Sequence, residues 1–270
     1  MLPLAKQNAY RKQYARLNPG WRPSGEEFEA LIRRHIGPTV RVLDLGCGRG
    51  GVMELFWREV RLPVGLDPDL VSLIEHRTST LPQRGASRSG TEQGGVKSKG
   101  ATTGMPLVCG FGDALPFPAE SFDLVLALWV LEHLARPEKV LSEVRRVLHS
   151  PDRASGRPGG HFLFLTPNAH HPLILFNRFS WAFPAVQRLL VPRLYGRAEA
   201  DTFRVRYQAN TLARLRALAA EAGFRIVSLR AISDPTYLAF SNWLFVMSMA
   251  LERMLPEGSG VHVVGEWERH

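Results

Sequence analysis

Cysteine is scarce in this sequence, which has only Cys47 and Cys109 in 270 residues. The two do not form a CxxC pair, and no group of Cys and His residues has the spacing of a zinc site. We therefore expect neither a disulfide framework nor a bound metal. Isolated thiols are typical of a reducing compartment, so the sequence predicts a cytoplasmic protein.

The chain also lacks any block of consecutive like charges, although its formal net charge is +9 and its pI is about 10.1. This absence argues against a dedicated polybasic arm. The net charge makes nucleic acid or an anionic membrane surface a sensible neighbour, but an arginine-rich composition is the simpler explanation. The first fourteen residues include Lys6, Arg11 and Lys12 and no apolar run, so we expect no secretory signal.

What the sequence does contain is a glycine-rich turn directly after a buried-strand pattern. Residues 42–51 read Val-Leu-Asp-Leu-Gly-Cys-Gly-Arg-Gly-Gly. Glycines at alternate positions let the backbone turn sharply and approach a ligand closely. A helix over residues 51–60 is expected to aim its first N–H groups at the same ligand. Gly46, Gly48 and Gly51 also satisfy the GxGxxG spacing of dinucleotide-binding proteins, so the turn alone leaves the ligand open.

Carboxylates follow the next two strand patterns. Asp67 ends the second strand, at residues 62–66, where a carboxylate can accept hydrogen bonds from ribose hydroxyls. The alternative role for Asp67 is a helix N-cap. Asp113 follows the third strand and can accept from an exocyclic amine, while Leu115 and Phe117 offer an apolar wall to a ring. The alternative is a simple turn at Gly112 and Asp113, with Leu115 and Phe117 in the core.

A second set of motifs decides between the ligand classes. After the Gly-Asp-Ala-Leu-Pro-Phe loop at residues 112–117 come Ser-Phe-Asp-Leu-Val-Leu at 121–126 and Trp-Val-Leu-Glu-His-Leu at 129–134. With the glycine turn, these motifs resemble the class I S-adenosylmethionine-dependent methyltransferases, in the small-molecule, ubiquinone-methylase-like group. The resemblance covers roughly residues 40–77 and 106–166.

The resemblance implies an α/β fold: a Rossmann-like, seven-stranded, mostly parallel sheet with helices on both faces and an antiparallel C-terminal strand. It also implies S-adenosyl-L-methionine as the cofactor. The residues that it assigns to the cofactor site are Asp44, Gly46, Cys47, Gly48, Gly50, Asp67, Pro68, Asp113, Ala114, Leu115, Leu128 and Trp129.

At this length we expect one methyltransferase domain with additions. Residues 1–36 are predicted to form a helical cover, in which Ser24 caps the second helix. Residues 78–104 are poor in apolar residues and are predicted to be a flexible insertion. Residues 167–207, rich in aromatic residues and arginine, are a candidate substrate lid. Residues 235–256 are predicted to form an apolar helix that lines a pocket, mediates a dimer or lies at a membrane interface.

His133 is the best candidate for a general base, because it begins the element after the fourth strand and faces the predicted cofactor cleft. His161, His170 and His171 are rivals. The Asn-Pro-Pro-Tyr type motif of amino-directed DNA methylation is missing, and no cysteine stands at the same place to attack a pyrimidine. Base methylation of DNA is therefore disfavoured.

The sequence thus predicts in-line methyl transfer from S-adenosyl-L-methionine to an O, C or N nucleophile of a small, partly apolar acceptor. An RNA methyltransferase and a non-catalytic, cofactor-binding partner subunit are the alternatives. Nucleic acid is a disfavoured partner that remains open, and both a monomer and a homodimer are compatible with the sequence. Cytoplasmic placement leaves room for peripheral contact with the inner membrane surface.

Overall fold

A computed structural model describes residues 4–79, 104–152, 154, 156–175, 205–239 and 241–270. Its centre is a seven-stranded sheet in the order β3-β2-β1-β4-β5-β7-β6. The strands are β1 Arg41–Leu45, β2 Leu62–Asp67, β3 Leu107–Cys109, β4 Leu124–Leu128, β5 His161–Pro167, β6 Phe224–Ile232 and β7 His262–Arg269. All neighbours pair in parallel except β7, which runs antiparallel to both β5 and β6. This is the predicted class I methyltransferase topology.

The helices lie on both faces of the sheet. They are α1 Leu4–Leu17, α2 Ser24–Ile32, α3 Leu70–Ser79, α4 Pro137–Val147, α5 Leu212–Glu221 and α6 Asn242–Met254. One core cluster joins the sheet to α4 and α5 through residues such as Val144 and Leu218. A second joins the sheet to α2, where Phe28 and Ile32 are fully buried. The central strands are buried on both faces, which explains why their sequences are continuously apolar.

The N-terminal segment packs as two separate pieces. In α1, Tyr10 stacks on Phe245 of α6 with ring centroids 4.6 Å apart and donates its hydroxyl to Asn242 at 2.5 Å. Helix α2 instead covers the sheet. The prediction that Ser24 caps α2 is wrong, because Ser24 is buried within the helix and its Oγ lies 2.8 Å from His262 Nδ1.

The helix predicted over residues 51–60 is also absent. The chain forms a single 3₁₀ turn there, Val52–Leu55, followed by further turns. Met53 and Phe56 are fully buried in the core cluster that joins the sheet to α2. Packing therefore favours the tighter turn, and no helix N-terminus is available to a ligand.

The apolar helix predicted over 235–256 starts later than expected. A 3₁₀ turn at Pro235–Leu238 precedes α6, whose N-terminus is capped by the Ser241 side chain. No helix in the described ranges combines the length and apolar character needed to cross a bilayer. The predicted flexible insertion lies outside the described residues over 80–103, and the predicted lid lies outside them over 176–204.

Candidate active site

The glycine turn after β1 lies at the carboxyl ends of the parallel strands. Gly46, Gly48 and Gly50 all have positive φ, at 76°, 49° and 128°. A Cβ added at Gly46 would lie 2.4 Å from Cγ2 of Val130, so the turn passes directly against the segment that follows β4. Only glycine combines this backbone conformation with such a close approach.

Asp67, the last residue of β2, faces the glycine turn. Its Oδ2 accepts the Gly48 N–H at 2.9 Å, and its Oδ1 accepts the Asp69 N–H at 2.8 Å. A carboxylate has about four acceptor positions, so these two bonds leave capacity for ligand hydroxyls. The predicted N-cap alternative belongs to Asp69, whose carboxylate accepts from the N–H groups of Val71 and Ser72. The neighbouring Pro68 is exposed at the same edge.

Asp44 lies beneath the turn and is 1% exposed. Burial raises the pKa of Asp44 to about 7, although the Met53 N–H works in the opposite direction. Its Oδ2 makes no aligned hydrogen bond among the described residues, and a Cβ on Gly51 would approach that atom to 2.5 Å. Asp44 therefore supports the turn from below. Burial also raises the pKa of the Cys47 thiol, so Cys47 is a poor nucleophile at neutral pH.

The loop after β3 forms the next side of the site. The Gly110 N–H donates to the Asp67 carbonyl at 3.1 Å, which brings this loop beside β2. Asp113 pairs with Arg136 at 2.5 Å. The Ala114 N–H donates to the Phe111 carbonyl within the loop.

Leu115 does not form part of the loop surface. Its side chain is buried in the core, and its N–H donates to Glu143 at 2.8 Å. Phe111 takes the exposed position instead, with 67% of its surface accessible. The sequence reasoning missed Phe111, although an aromatic residue between two loop glycines is an available signal.

The carboxyl end of β4 closes the arrangement. Leu128, the last residue of β4, is half-buried, and Trp129 follows it with a φ of 59°. Trp129 is 37% exposed, and its ring stands edge-on to His262 with ring centroids 4.8 Å apart. His133 ends a 3₁₀ turn, Leu131–His133, and is half-buried.

A buried polar network beneath His133 was not predicted. Glu132 accepts from the Thr166 hydroxyl at 3.1 Å, and Asn210 donates to the same hydroxyl at 2.5 Å. The carbonyl of Glu132 also accepts the N–H groups of Arg206 and Tyr207, at 2.7 and 3.1 Å. The network fixes the turn that carries His133 against β5 and against the segment before α5. The available signal in the sequence was Glu132, a carboxylate in the otherwise apolar segment that follows β4.

The rival histidines are in other environments. His161 begins β5 and so lies at the amino end of the sheet, away from the glycine turn. His171 is buried, with its Nε2 3.2 Å from Glu252. His170 is exposed. His133 is therefore the histidine candidate that β4 places at the carboxyl edge.

Two surface cavities of about 410 and 530 Å³ lie elsewhere on the described part of the chain. The smaller one is between α4 and α5, and the larger one is over the amino ends of β1 and β4. Neither is lined by a residue predicted for the cofactor. The candidate site is instead an edge formed by four loops, as open α/β sheets provide for their ligands.

The loops and buried groups at this edge are suited to a nucleoside ligand. The glycine turn permits close backbone approach, Asp67 retains acceptor capacity, and Phe111 and Trp129 expose aromatic surface. A protein-family model described as a methyltransferase domain matches residues 43–164. That range runs from within β1 to within β5 and contains every residue predicted for the cofactor.

Curated proteins that resemble this chain in sequence are also methyltransferases. A sterol 24-C-methyltransferase of Gibberella zeae is 33% identical over 147 residues, which are 51% of this chain and 33% of that protein. A ubiquinone/menaquinone biosynthesis C-methyltransferase of Yersinia pestis is 28% identical over 194 residues, 70% of this chain and 67% of that protein. The chain thus spans between a third and two thirds of the length of these relatives.

Solved structures support the fold. Geranyl diphosphate C-methyltransferase from Streptomyces coelicolor matches with a TM-score of 0.56 and 13% identity, over 91% of this chain and 78% of that one. The YcgJ protein of Bacillus subtilis matches with a TM-score of 0.51 and 15% identity, over 91% of this chain and 99% of that one.

Proposed function

Since the chain belongs to the class I S-adenosylmethionine-dependent methyltransferases, we propose that it transfers a methyl group from S-adenosyl-L-methionine to a small, partly apolar acceptor. The observation that carries the proposal is the contact between the Gly48 N–H and Asp67 Oδ2, which holds a carboxylate at the lip of a positive-φ glycine turn. This is the arrangement that a ribose needs in order to approach the backbone and donate its hydroxyls.

The residues at the site fit this cofactor. A Cβ at Gly46 or Gly51 would collide with Val130 or with Asp44, so the turn keeps its close-approach shape only with glycine. Asp67 would receive ribose hydroxyls, and Asp113, held by Arg136, would receive the adenine amine. Phe111 and Trp129 would contribute apolar surface beside the rings.

When bound, the cofactor supplies an electrophilic methyl group on a sulfonium. The protein's part is to hold the acceptor in line with that methyl group and to exclude water. His133 would take the proton of an acceptor hydroxyl, and the Glu132–Thr166–Asn210 network would keep its turn in place. A carbon or nitrogen acceptor that ionises readily would need less help from His133.

The relatives and the structural neighbour are named for sterol, ubiquinone/menaquinone biosynthesis and geranyl diphosphate methylation, which supports a partly apolar acceptor. The exposed side of α6 supports it further. Trp243, Val246, Met247 and Met254 are each at least half exposed and recur at helical spacing, while Phe245 on the same helix is buried against α1. Such a stripe suits contact with the surface of a membrane that holds the acceptor.

The first experiment is calorimetric titration with S-adenosylhomocysteine and, in parallel, NADH. We expect binding of the first ligand only, and a loss of at least tenfold in affinity for Asp67→Asn. Asp69→Asn is the matched control, because it changes a neighbouring carboxylate that caps α3 and should bind as the wild type does. Equal affinity in both variants, or binding of NADH, would refute the assignment.

The acceptor is tested by following S-adenosylhomocysteine release with lipid extracts and with RNA. Turnover on a lipid fraction supports the proposal, whereas turnover on RNA alone would favour the nucleic-acid alternative. Cofactor binding without turnover on any acceptor would favour a partner subunit. For a hydroxyl acceptor, His133→Gln should lower kcat by about 10²-fold or more and remove the acidic limb of the pH–rate profile.

Membrane contact is tested by flotation with anionic vesicles. We expect Met247→Glu with Trp243→Glu to abolish flotation, because both charges would lie on the apolar stripe of α6. Ile74→Glu places a charge on the exposed apolar side of α3 and serves as the control. Unchanged flotation of the α6 variant would show that this helix does not bind the membrane.

A further inference from the structure

Three side chains from distant parts of the sequence meet at the end of the α2–sheet interface. His161 is the first residue of β5, and Glu266 of β7 pairs with Leu163, two residues further along β5. Leu163 packs in the same core cluster as α2, so the side chains on this face of the sheet point toward that helix. His35 lies in the turn just after α2, with its N–H donated to Ile32.

The three side chains converge on a small volume. His35 Nε2 is 3.0 Å from Glu266 Oε1, and His161 Nδ1 is 3.3 Å from the same oxygen. The two imidazole rings have centroids 4.2 Å apart, and the three donor atoms all lie within 4.8 Å of one another. Neither His35 Nε2 nor His161 Nδ1 makes an aligned hydrogen bond within the part of the chain that the structure describes. The nitrogens are therefore close to the carboxylate oxygen without being directed along the line to it.

This geometry is compatible with a shared metal ion. With metal–nitrogen and metal–oxygen bonds of about 2.0–2.2 Å, ligand atoms at two corners of a tetrahedron are about 3.3 Å apart. The separations of 3.0 and 3.3 Å match that edge closely. Two imidazoles and one carboxylate form a ligand set suited to zinc, with a fourth position for water.

The surroundings also favour metal binding. The side chains of His35 and His161 are each 17% exposed and that of Glu266 is 7% exposed, so the site is shielded while an ion can still reach it from solvent. The nearby charges are Arg34 beside His35, and Arg225 and Glu268, which pair with each other, beside His161.

We propose that His35, His161 and Glu266 bind one divalent transition-metal cation, with zinc as the best fit. The ion would tie the end of α2 to β5 and β7, at the amino end of β5 and so at the opposite edge from the glycine turn. Its role is to fasten α2 to the sheet, and it takes no part in methyl transfer. Sequence reasoning predicted no metal because the ligands come from three separate elements with no local spacing motif.

The test uses the full chain after treatment with a chelator and dialysis. Titration with Zn²⁺ alone should show one equivalent bound, and the melting temperature should rise by roughly 5 to 10 °C at a hundredfold excess over Kd. Mg²⁺ should give neither effect. With Co²⁺ in place of Zn²⁺, we expect the strong visible absorption of a tetrahedral site.

Variants separate the metal site from a simple hydrogen-bonded cluster. Glu266→Gln keeps the side-chain shape and His35→Gln keeps a polar group, and each should lose at least tenfold in Zn²⁺ affinity while its circular dichroism stays that of the wild type. His270→Ala removes an exposed histidine outside the cluster and should bind zinc normally. Unaltered stoichiometry and affinity in both cluster variants, or no zinc binding by the wild type at micromolar concentration, would overturn the proposal.

Discussion

Asp44 and Asp123 lie near opposite ends of the central strands, and their surroundings differ sharply. Asp123, just before β4, accepts the Arg41 backbone N–H at 2.8 Å, two further bonds from the Arg41 guanidinium, and one from Arg157 at 2.7 Å. Asp44, near the end of β1, has one carboxylate oxygen with no aligned hydrogen bond among the described residues. The Asp123 carboxylate is fully paired, whereas the Asp44 carboxylate keeps unused acceptor capacity.

The pKa values follow the same division. Burial works to raise the pKa of Asp123, but the hydrogen bonds and charge of Arg41 outweigh it and lower that pKa. Burial dominates at Asp44 and raises its pKa to about 7. The positive-φ residues Gly46, Gly48 and Trp129 also lie at the Asp44 end. Asp123 and its arginine partners therefore stabilise the fold, whereas the turn around Asp44 bears strain and desolvation that a ligand site can use.

The largest effect is expected from breaking the paired end. Asp123→Ala would leave Arg41 and its backbone N–H without their shared acceptor and should lower the free energy of unfolding by about 3 kcal/mol. Urea denaturation measures this loss. Arg157→Ala, at a side chain that is 53% exposed, is the control and should cost less than about 1 kcal/mol. A similar loss of unfolding free energy in both variants would contradict the conclusion that the buried Asp123 carboxylate is a main stabilising group at this end of the sheet.

A change at the strained end should cost somewhat less stability but should abolish ligand binding. Gly46→Ala combines a φ of 76° with a Cβ 2.4 Å from Val130, so we expect a loss of about 2 kcal/mol. Calorimetry should show no binding of S-adenosylhomocysteine by the folded variant. Gly25→Ala, where nothing lies within 4 Å of the added Cβ, should bind normally and be slightly more stable.

Asp44 should make stability depend on pH. Its folded-state pKa of about 7 exceeds its ordinary value of 3.8, so the folded protein holds a proton that the unfolded chain has released between these limits. Stability therefore falls as pH rises from about 4 to 7. Asp44→Asn removes this penalty, so its free energy of unfolding should exceed that of the wild type by more at pH 8 than at pH 5. We expect the two differences to differ by about 2 kcal/mol. Urea unfolding at both pH values measures the difference, and an equal gain at both would exclude the proposed protonation.

His262, near the carboxyl edge, should give the smallest effect and the opposite sign. Burial lowers the pKa of His262 to about 4 from an ordinary 6.5. As the solution is acidified, the imidazole is therefore protonated in the unfolded chain at a higher pH than in the folded protein. Stability from this group is lost as pH falls from 6.5 towards 4. His262→Gln should reduce the wild-type loss between pH 7 and pH 5.5 by about 1 kcal/mol, measured by thermal unfolding. An unchanged pH profile would assign the acid sensitivity to other groups.

The strands and the glycine turn could be predicted because their signals are local. The apolar run Leu124–Leu128 and the proline that ends β5 each report on one stretch of chain. The turn at residues 51–60 was mispredicted as a helix because Met53 and Phe56 are compatible with either repeat, and only packing against the sheet selects the 3₁₀ form. Local periodicity cannot make that choice.

The buried polar partners of the site depend on contacts between distant residues. Thr166 and Asn210 meet Glu132 only because β5 lies beside β4 and the segment before α5 returns to the same edge. In the same way, Ser24 could not be recognised as a partner of His262 from its cap-like position in the sequence. A sequence identifies residue types suited to a task, whereas the sheet order decides which of them meet.

The edge-on contact between Trp129 and His262 has a practical consequence. Trp129 is 37% exposed at the carboxyl edge, and the lowered pKa of His262 keeps its imidazole neutral at ordinary pH. A neutral neighbour quenches indole emission less than a charged one, so Trp129 should fluoresce and respond when a ligand covers its open face. Although the chain has six tryptophans, subtracting the spectrum of Trp129→Phe would isolate this signal. The protein thus contains an intrinsic optical probe of its own binding edge.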